Sequence, residues 1–198
     1  MAVASASRRQ QYAEATRTAL LSAAETLIAE RGYADVSIDE ICVRAGVTKG
    51  ALYHHFESKR ELFRALCDYV EDSWVDEMVE EVSGEQDPLR RLLMGCDAFL
   101  EGCLDPARQR ILVLDGPAVL GGDPMHSGRG VALLGHALGE AMDAGELERQ
   151  PVAPLARLVY GALTEASIAI ARDRNQARAR KDMGRALRRL IEGLGPAS

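Results

Sequence analysis

The sequence predicts an all-α protein, and three observations point there. Ala, Leu, Arg and Glu abound while aromatics make up only 5%, a balance that favours helices over sheets. Apolar residues recur at helical spacing in segment after segment, with no alternating strand pattern and no internal repeat. Capping signatures stand where those segments begin. The chain has 198 residues, 47% of them hydrophobic, enough for one or two compact domains with a sizeable core.

The first helix is expected from about Tyr12 to Arg31, with Leu20, Leu21, Ala24, Leu27 and Ile28 on one face and Gly32 at its close. Ser37-Ile38-Asp39-Glu40 reads as a capping box that opens a short helix, Ile38 to Ala45, ended by Gly46. Thr48 then caps a third helix, Lys49 to His55. Ser58-Lys59-Arg60-Glu61 is a second capping box. It opens a long helix to about Ser83, roughly 35 Å at 1.5 Å per residue. Asp87-Pro88 and Asp105-Pro106 each place Pro at the first helical position behind an Asp cap, and predict helices at Leu89 to Cys103 and Ala107 to Leu114. Asp115 to Gly130, with five Gly and two Pro, reads as a loop or broken helix before a helix at Val131 to Ala144. Two amphipathic helices close the chain, Pro151 to Arg172 and Arg178 to Leu194.

Charge narrows the function. The net charge is −6, but up to Arg64 there are nine Lys/Arg against eight Asp/Glu, and the rest carries 15 against 22. An acidic body repels DNA, so any nucleic-acid contact belongs to the N-terminal part. Cys42, Cys67, Cys96 and Cys103 form no CxxC pair and have no His at ligand spacing, so no structural zinc is expected. Cys96 and Cys103 lie two turns apart on one helix, too far to bridge as a redox sensor. No cofactor and no metal are expected. No apolar run approaches a membrane span, and the opening residues lack a hydrophobic signal core; a cytoplasmic protein without membrane contact is expected.

Helix, Gly-containing turn and helix between Ile38 and His55 is the helix-turn-helix pattern. Around it, Leu20 to Phe63 resembles the N-terminal domain of the TetR family of bacterial repressors. The residues that carry the likeness are Leu21, Ala24, Glu30-Arg31-Gly32-Tyr33, Ile41, Ala45-Gly46-Val47-Thr48-Lys49-Gly50-Ala51-Leu52-Tyr53, His54-His55-Phe56, Ser58-Lys59 and Leu62-Phe63. Cys42 departs from the small Ala that is usual there. The resemblance implies a three-helix DNA-binding domain at residues 1–58. It also implies a larger helical effector-binding and dimerisation domain at residues 59–198, and a repressor released from its operator by a small molecule.

The residues suit DNA. Gly50 and Ala51 let the third helix approach a groove closely, and Lys49 can reach a base edge or a phosphate. Thr48 and Ser37 offer hydroxyls at helix starts, where amides and dipole favour an anion, beside their role as caps. Tyr53 and His54 can donate to phosphate, though Tyr53 can also pack within the small domain. Lys59 adds a charge at the start of the long helix. No nucleophile or carboxylate completes a catalytic set with the histidines, so an enzyme is not expected. The expected partner is double-stranded DNA carrying a near-palindromic operator.

Beyond Phe63 the sequence carries no motif that identifies a ligand. Trp74, Met78, Phe99 and Leu112 are candidate apolar walls of an effector pocket, with Asp97, Asp115 and His126 as polar handles. Such a pocket suits a lipophilic or aromatic small molecule. Leu155, Val159, Ala162, Leu163, Ala166, Ile170, Leu187, Leu190 and Ile191 form stripes expected to pair in a two-fold homodimer. An activator or DNA-packaging protein would share the same N-terminal domain, and DNA footprint position separates them.

Overall fold

The structure, a computed structural model, describes residues 2–121 and 129–196, with side chains from Gln10 onward. Every regular element among the described residues is helical: α1 (Ala2–Arg31), α2 (Ile38–Ala45), α3 (Lys49–His55), α4 (Lys59–Val82), α5 (Pro88–Gly102), α6 (Pro106–Arg108), α7 (Gly116–Leu120), α8 (Arg129–Asp143), α9 (Val152–Arg172) and α10 (Gln176–Glu192), with a π-helical stretch at Gln109–Asp115. None is long and apolar enough to cross a membrane.

The chain divides into two compact units. One comprises Met1–Val70 and Arg110–Pro124, the other Glu71–Gln109 and Met125–Ser198. The first therefore reaches past the boundary expected at residue 58. The cause is burial, since Leu62, Phe63 and Leu66 of α4 are fully buried along with Leu20, Leu21, Ile28, Ile41 and Leu52. The Tyr33 and Phe63 rings lie 4.7 Å apart. Residues from the middle of the chain are tied into the same unit. Asp115 accepts from the Tyr33 amide at 2.7 Å, and Arg60 donates to the Val119 and Leu120 carbonyls at 3.1 and 2.9 Å.

Around Asp115 the structure differs from the sequence expectation. In place of an α-helix ending at Leu114, α6 gives way to π-winding over Gln109–Asp115 and then to α7. Pro117 supplies a reason. It has no amide to give Val113, and in α-winding its ring would crowd that carbonyl, so the wider turn falls just before it.

In the second unit α5, α8, α9 and α10 pack against one another. Asp87 caps α5 by accepting from the Arg90 amide at 2.8 Å, with Pro88 behind it. The α8 helix is followed by Gly145 in the left-handed region, φ 79°. Most residues of the stripes expected at a dimer interface are buried within the single chain. Leu155, Val159, Leu163, Ala166, Ile170, Leu187 and Ile191 are at most 7% exposed in the single chain. Neighbouring helices of the same chain cover them, since α9 packs against α5, α8 and α10, and α10 also packs against α5. Leu158 at 73% and Leu190 at 51% face outward, with Ala162 half-buried.

Candidate DNA interface and candidate effector cavity

The helix-turn-helix is held by its caps. Ser37 Oγ accepts from the Glu40 amide at 3.2 Å, and Glu40 accepts from the Ser37 amide at 2.8 Å, completing the capping box. Arg31 donates to Glu40 at 2.8 Å. That bond, with those from Ser37, lowers the Glu40 carboxyl to about 2. Gly46 ends α2 at φ 68°, and Val47 donates back to the Cys42 carbonyl at 3.0 Å. Thr48 Oγ1 accepts from the Ala51 amide at 3.2 Å and opens α3.

Leu52 pins α3 to the core, wholly buried, so the opposite face turns to solvent. Lys49, Gly50, Tyr53 and His54 are exposed there, and Ala51 is half-buried. A methyl placed on Gly50 would meet Thr48 Oγ1 at 3.8 Å, an ordinary contact. Lys49 reaches Asp39 at 2.6 Å, but both are exposed, and such a pair yields readily to a phosphate. Lys59 differs. Its ammonium donates to the Tyr33 carbonyl at 2.5 Å and lies 4.1 Å from the Tyr33 ring centre. Burial pulls its pKa below the ordinary lysine value, against the pull of Asp35 and Glu40. Lys59 therefore ties α4 to the loop after α1, whatever further use its remaining donors find.

The second unit holds an open-sided cavity of about 350 Å³ between α4, α5, α8 and α9. Trp74 and Phe99 stack on its wall, ring centres 4.6 Å apart and 12° from parallel. Met78, Val75, Leu92 and Leu134 add apolar surface. Its polar members are Glu71, Tyr160, Ser83, His136 and the pair Arg91–Glu140, which meets at 2.9 Å. Trp74 is also pressed by Gly102, where a methyl would fall 2.2 Å from its Nε1.

Residues 89–194 match the family described as "Tetracyclin repressor-like, C-terminal domain", and residues 20–66 match "Bacterial regulatory proteins, tetR family". The first match spans more than half of the chain. The protein belongs to the TetR family of bacterial transcriptional regulators. A TetR-family regulator from Pectobacterium atrosepticum superposes with a TM-score of 0.85 at 32% identity, covering 94% of this chain and 97% of that one. The HTH-type transcriptional regulator TtgR of Pseudomonas putida is 38% identical over 109 residues, 52% of this chain and 50% of its own. The HTH-type transcriptional activator FasR of Mycolicibacterium smegmatis is 38% identical over 85 residues, 43% and 39% of the two chains. The chain thus spans about half the length, or less, of these two curated relatives.

Within this TetR-family chain the structure gathers some of the sequence-stated residues and separates others. Ser37, Thr48, Lys49, Gly50, Ala51, Tyr53 and His54 share one capped pair of helices. Trp74, Met78 and Phe99 line the cavity, as does His136. Asp97 does not, because it lies on another face of α5 from Cys96 and Phe99 and pairs with Arg188 at 2.5 Å on α10. Leu112 and Asp115 belong to the first unit, Leu112 in its core and Asp115 on the Tyr33 amide. His126 lies outside the described residues. Glu71 and Tyr160 escaped the sequence reading. A signal for Glu71 existed, since it stands three and seven residues before Trp74 and Met78, an acid on an apolar helix face. All four cysteines are buried. Burial and the adjacent Asp97 carboxylate push Cys96 up to about 12, and burial does the same for Cys103. Neither supplies a thiolate at neutral pH.

Proposed function

We propose that this TetR-family protein binds a near-palindromic operator as a two-fold homodimer and leaves it when a small lipophilic molecule enters the cavity. The observation that carries this reading is the pairing of an exposed, capped α3 with an aromatic-walled cavity on one continuous helix. The start of α4 is fixed by Lys59 and by the buried Leu62, Phe63 and Leu66, and its later turns carry Trp74 and Met78 into the cavity wall. A ligand that shifts α4 at Trp74 acts on the same helix whose first turns pack in the DNA-binding unit.

The dimer surface is the outward face of the last two helices, where Leu158 and Leu190 remain exposed and Ala162 half-buried. A second copy brings a second α3, and the two must lie about one DNA turn apart, roughly 34–36 Å. Moving them by a few ångströms misregisters one half-site. The test is sequencing of DNA fragments selected by the purified protein, followed by titration of the selected site. A near-palindrome bound far more tightly than either half is expected. Equal affinity for a single half-site would overturn the dimeric reading. A second reading, activation, is favoured by the relative named as an activator; a footprint upstream of the promoter, rather than over it, would select it.

A further inference from the structure

A helix interior penalises glycine more than any residue except proline, so a glycine there needs a cause. At two positions the cause is packing. A methyl on Gly102 would fall 2.2 Å from Trp74 Nε1, and one on Gly184 would fall 3.3 Å from Asp97 Oδ1. Gly95 has no such cause. It stands at the middle of α5, and a methyl placed on it would meet no atom of the described residues within 4 Å, its own helix and chain neighbours aside. The space before it is the cavity. Gly95 lines that cavity with Arg91 and Leu92 one turn before it and Phe99 one turn after, so it lies at the centre of the α5 wall. Met78 of α4 and Leu134 of α8 line the same space. A helical side chain covers the turn before its own Cα, and at Gly95 that cover is missing. A ligand can therefore lie directly against the helix backbone.

We infer that Gly95 is a specificity-determining residue of the cavity, and that it admits a broad, rigid apolar body of fused-ring width rather than a single extended chain. The recess lies in the middle of a wall, where it adds width and not length. A linear chain leaves it empty, and an unfilled recess forfeits dispersion contacts with the atoms that line it. A ring system fills it. This rests on the reading of the cavity as the effector site and names the shape of its ligand.

Two neutral probes separate the shapes: N-phenyl-1-naphthylamine, a rigid aromatic, and decan-1-ol, a chain, each titrated into the full-length protein. Trp74 is the single tryptophan of the chain and lines the cavity, so its emission reports both. Wild type should bind the aromatic more tightly. Gly95→Ala should weaken the aromatic at least about threefold and Gly95→Leu at least about tenfold, while decan-1-ol changes by less than about threefold in either. Without ligand, Gly95→Ala should melt above wild type, because alanine suits a helix better and its methyl meets open space. Gly139 of α8 has the same room but lies outside the cavity lining, so Gly139→Ala should leave both affinities unchanged. An aromatic bound no more tightly than the alcohol, equal loss of both in the Gly95 variants, or a Gly95→Ala protein that melts at or below wild type overturns the inference. Should Gly95→Leu not fold, Gly95→Ala carries the comparison alone, and an unchanged affinity for the aromatic counts against it. Affinity for the selected DNA site is measured in the same samples. An aromatic that releases DNA from wild type and from the Gly95 variants at one concentration leaves the effector site standing and removes the role of Gly95. An aromatic whose binding follows the Gly95 series with no change in DNA affinity leaves that role standing and removes the release mechanism.

Discussion

At the scale of single residues, Glu40 joins local structure to pH. Its carboxyl, held by Arg31 and by Ser37, titrates near 2 in the folded chain against an ordinary value of 4.5. A depressed folded value means that the stabilisation is present above the unfolded value and is lost as pH falls from about 4.5 toward 2. Thermal melts of wild type and Glu40→Gln should therefore differ most above pH 4.5 and converge near pH 2. A gap that stayed constant down to pH 2 would show that the charge is not what Glu40 contributes. Gly102 makes a different point. Alanine there improves helix propensity but drives a methyl into the Trp74 indole. We expect a net loss of about 1–3 kcal/mol, with a changed Trp74 emission spectrum in the folded state. Unchanged stability and spectrum would mean that the indole moves aside without cost.

At the scale of elements, Lys59 decides between two uses of one ammonium. A pure phosphate anchor would leave the free protein's stability untouched when removed. The bond to the Tyr33 carbonyl says otherwise, and Lys59→Ala should cost about 1–2 kcal/mol in the absence of DNA. Lys49→Ala, whose partner Asp39 is exposed, should leave stability nearly unchanged and weaken only DNA binding. Calorimetry of both variants without DNA checks this; equal melting temperatures would remove the structural role of Lys59. The contrast also shows what the sequence could disclose. Ser37, Thr48 and Asp87 were legible as caps because a cap is a bond between residues three apart. The Lys59 bond spans 26 positions and Asp115 to Tyr33 spans 82, so neither leaves a local pattern. Gln109–Asp115 reads as a helix by periodicity, and only Pro117 hints that its winding changes. The cavity was half legible. Its aromatic wall follows helical spacing, while Asp97 and Asp115 were candidates only because they are polar, and both serve other partners.

At the scale of the whole molecule, the stripe on α9 shows why a broad apolar stripe misleads. Periodicity marks Leu155, Val159, Leu163 and Leu158 alike, and only packing tells core from surface. The proposed dimer is therefore tested on the outward residues. Leu158→Glu should shift the protein toward monomers in sedimentation and weaken operator binding by more than tenfold, since one half-site contributes alone. Leu155→Glu should instead unfold the second unit. If Leu158→Glu sediments as wild type does, the two-fold surface lies elsewhere. Operator affinity should also fall steeply with salt through released counterions, although the chain carries a net charge of −6.

The first unit's discontinuity has a consequence for how the chain is made. Its N-terminal stretch ends at Val70, yet Arg110, Asp115 and the Val119 and Leu120 carbonyls, all bonded into it, come some forty to fifty positions later. On a ribosome adding about 5–20 residues per second, the DNA-binding head waits roughly 2–10 s for its last parts. During that interval the Tyr33 amide and the Arg60 guanidinium have no native acceptor, and the buried faces of Ile111 and Leu112 are still to come. A nascent chain stalled before residue 110 should expose this head to proteases, and one stalled after its residues 110–121 have cleared the exit tunnel should protect it. The first unit is thus completed by residues synthesised after the first part of the second, so a product truncated before residue 110 lacks bonds that hold the helix-turn-helix unit together.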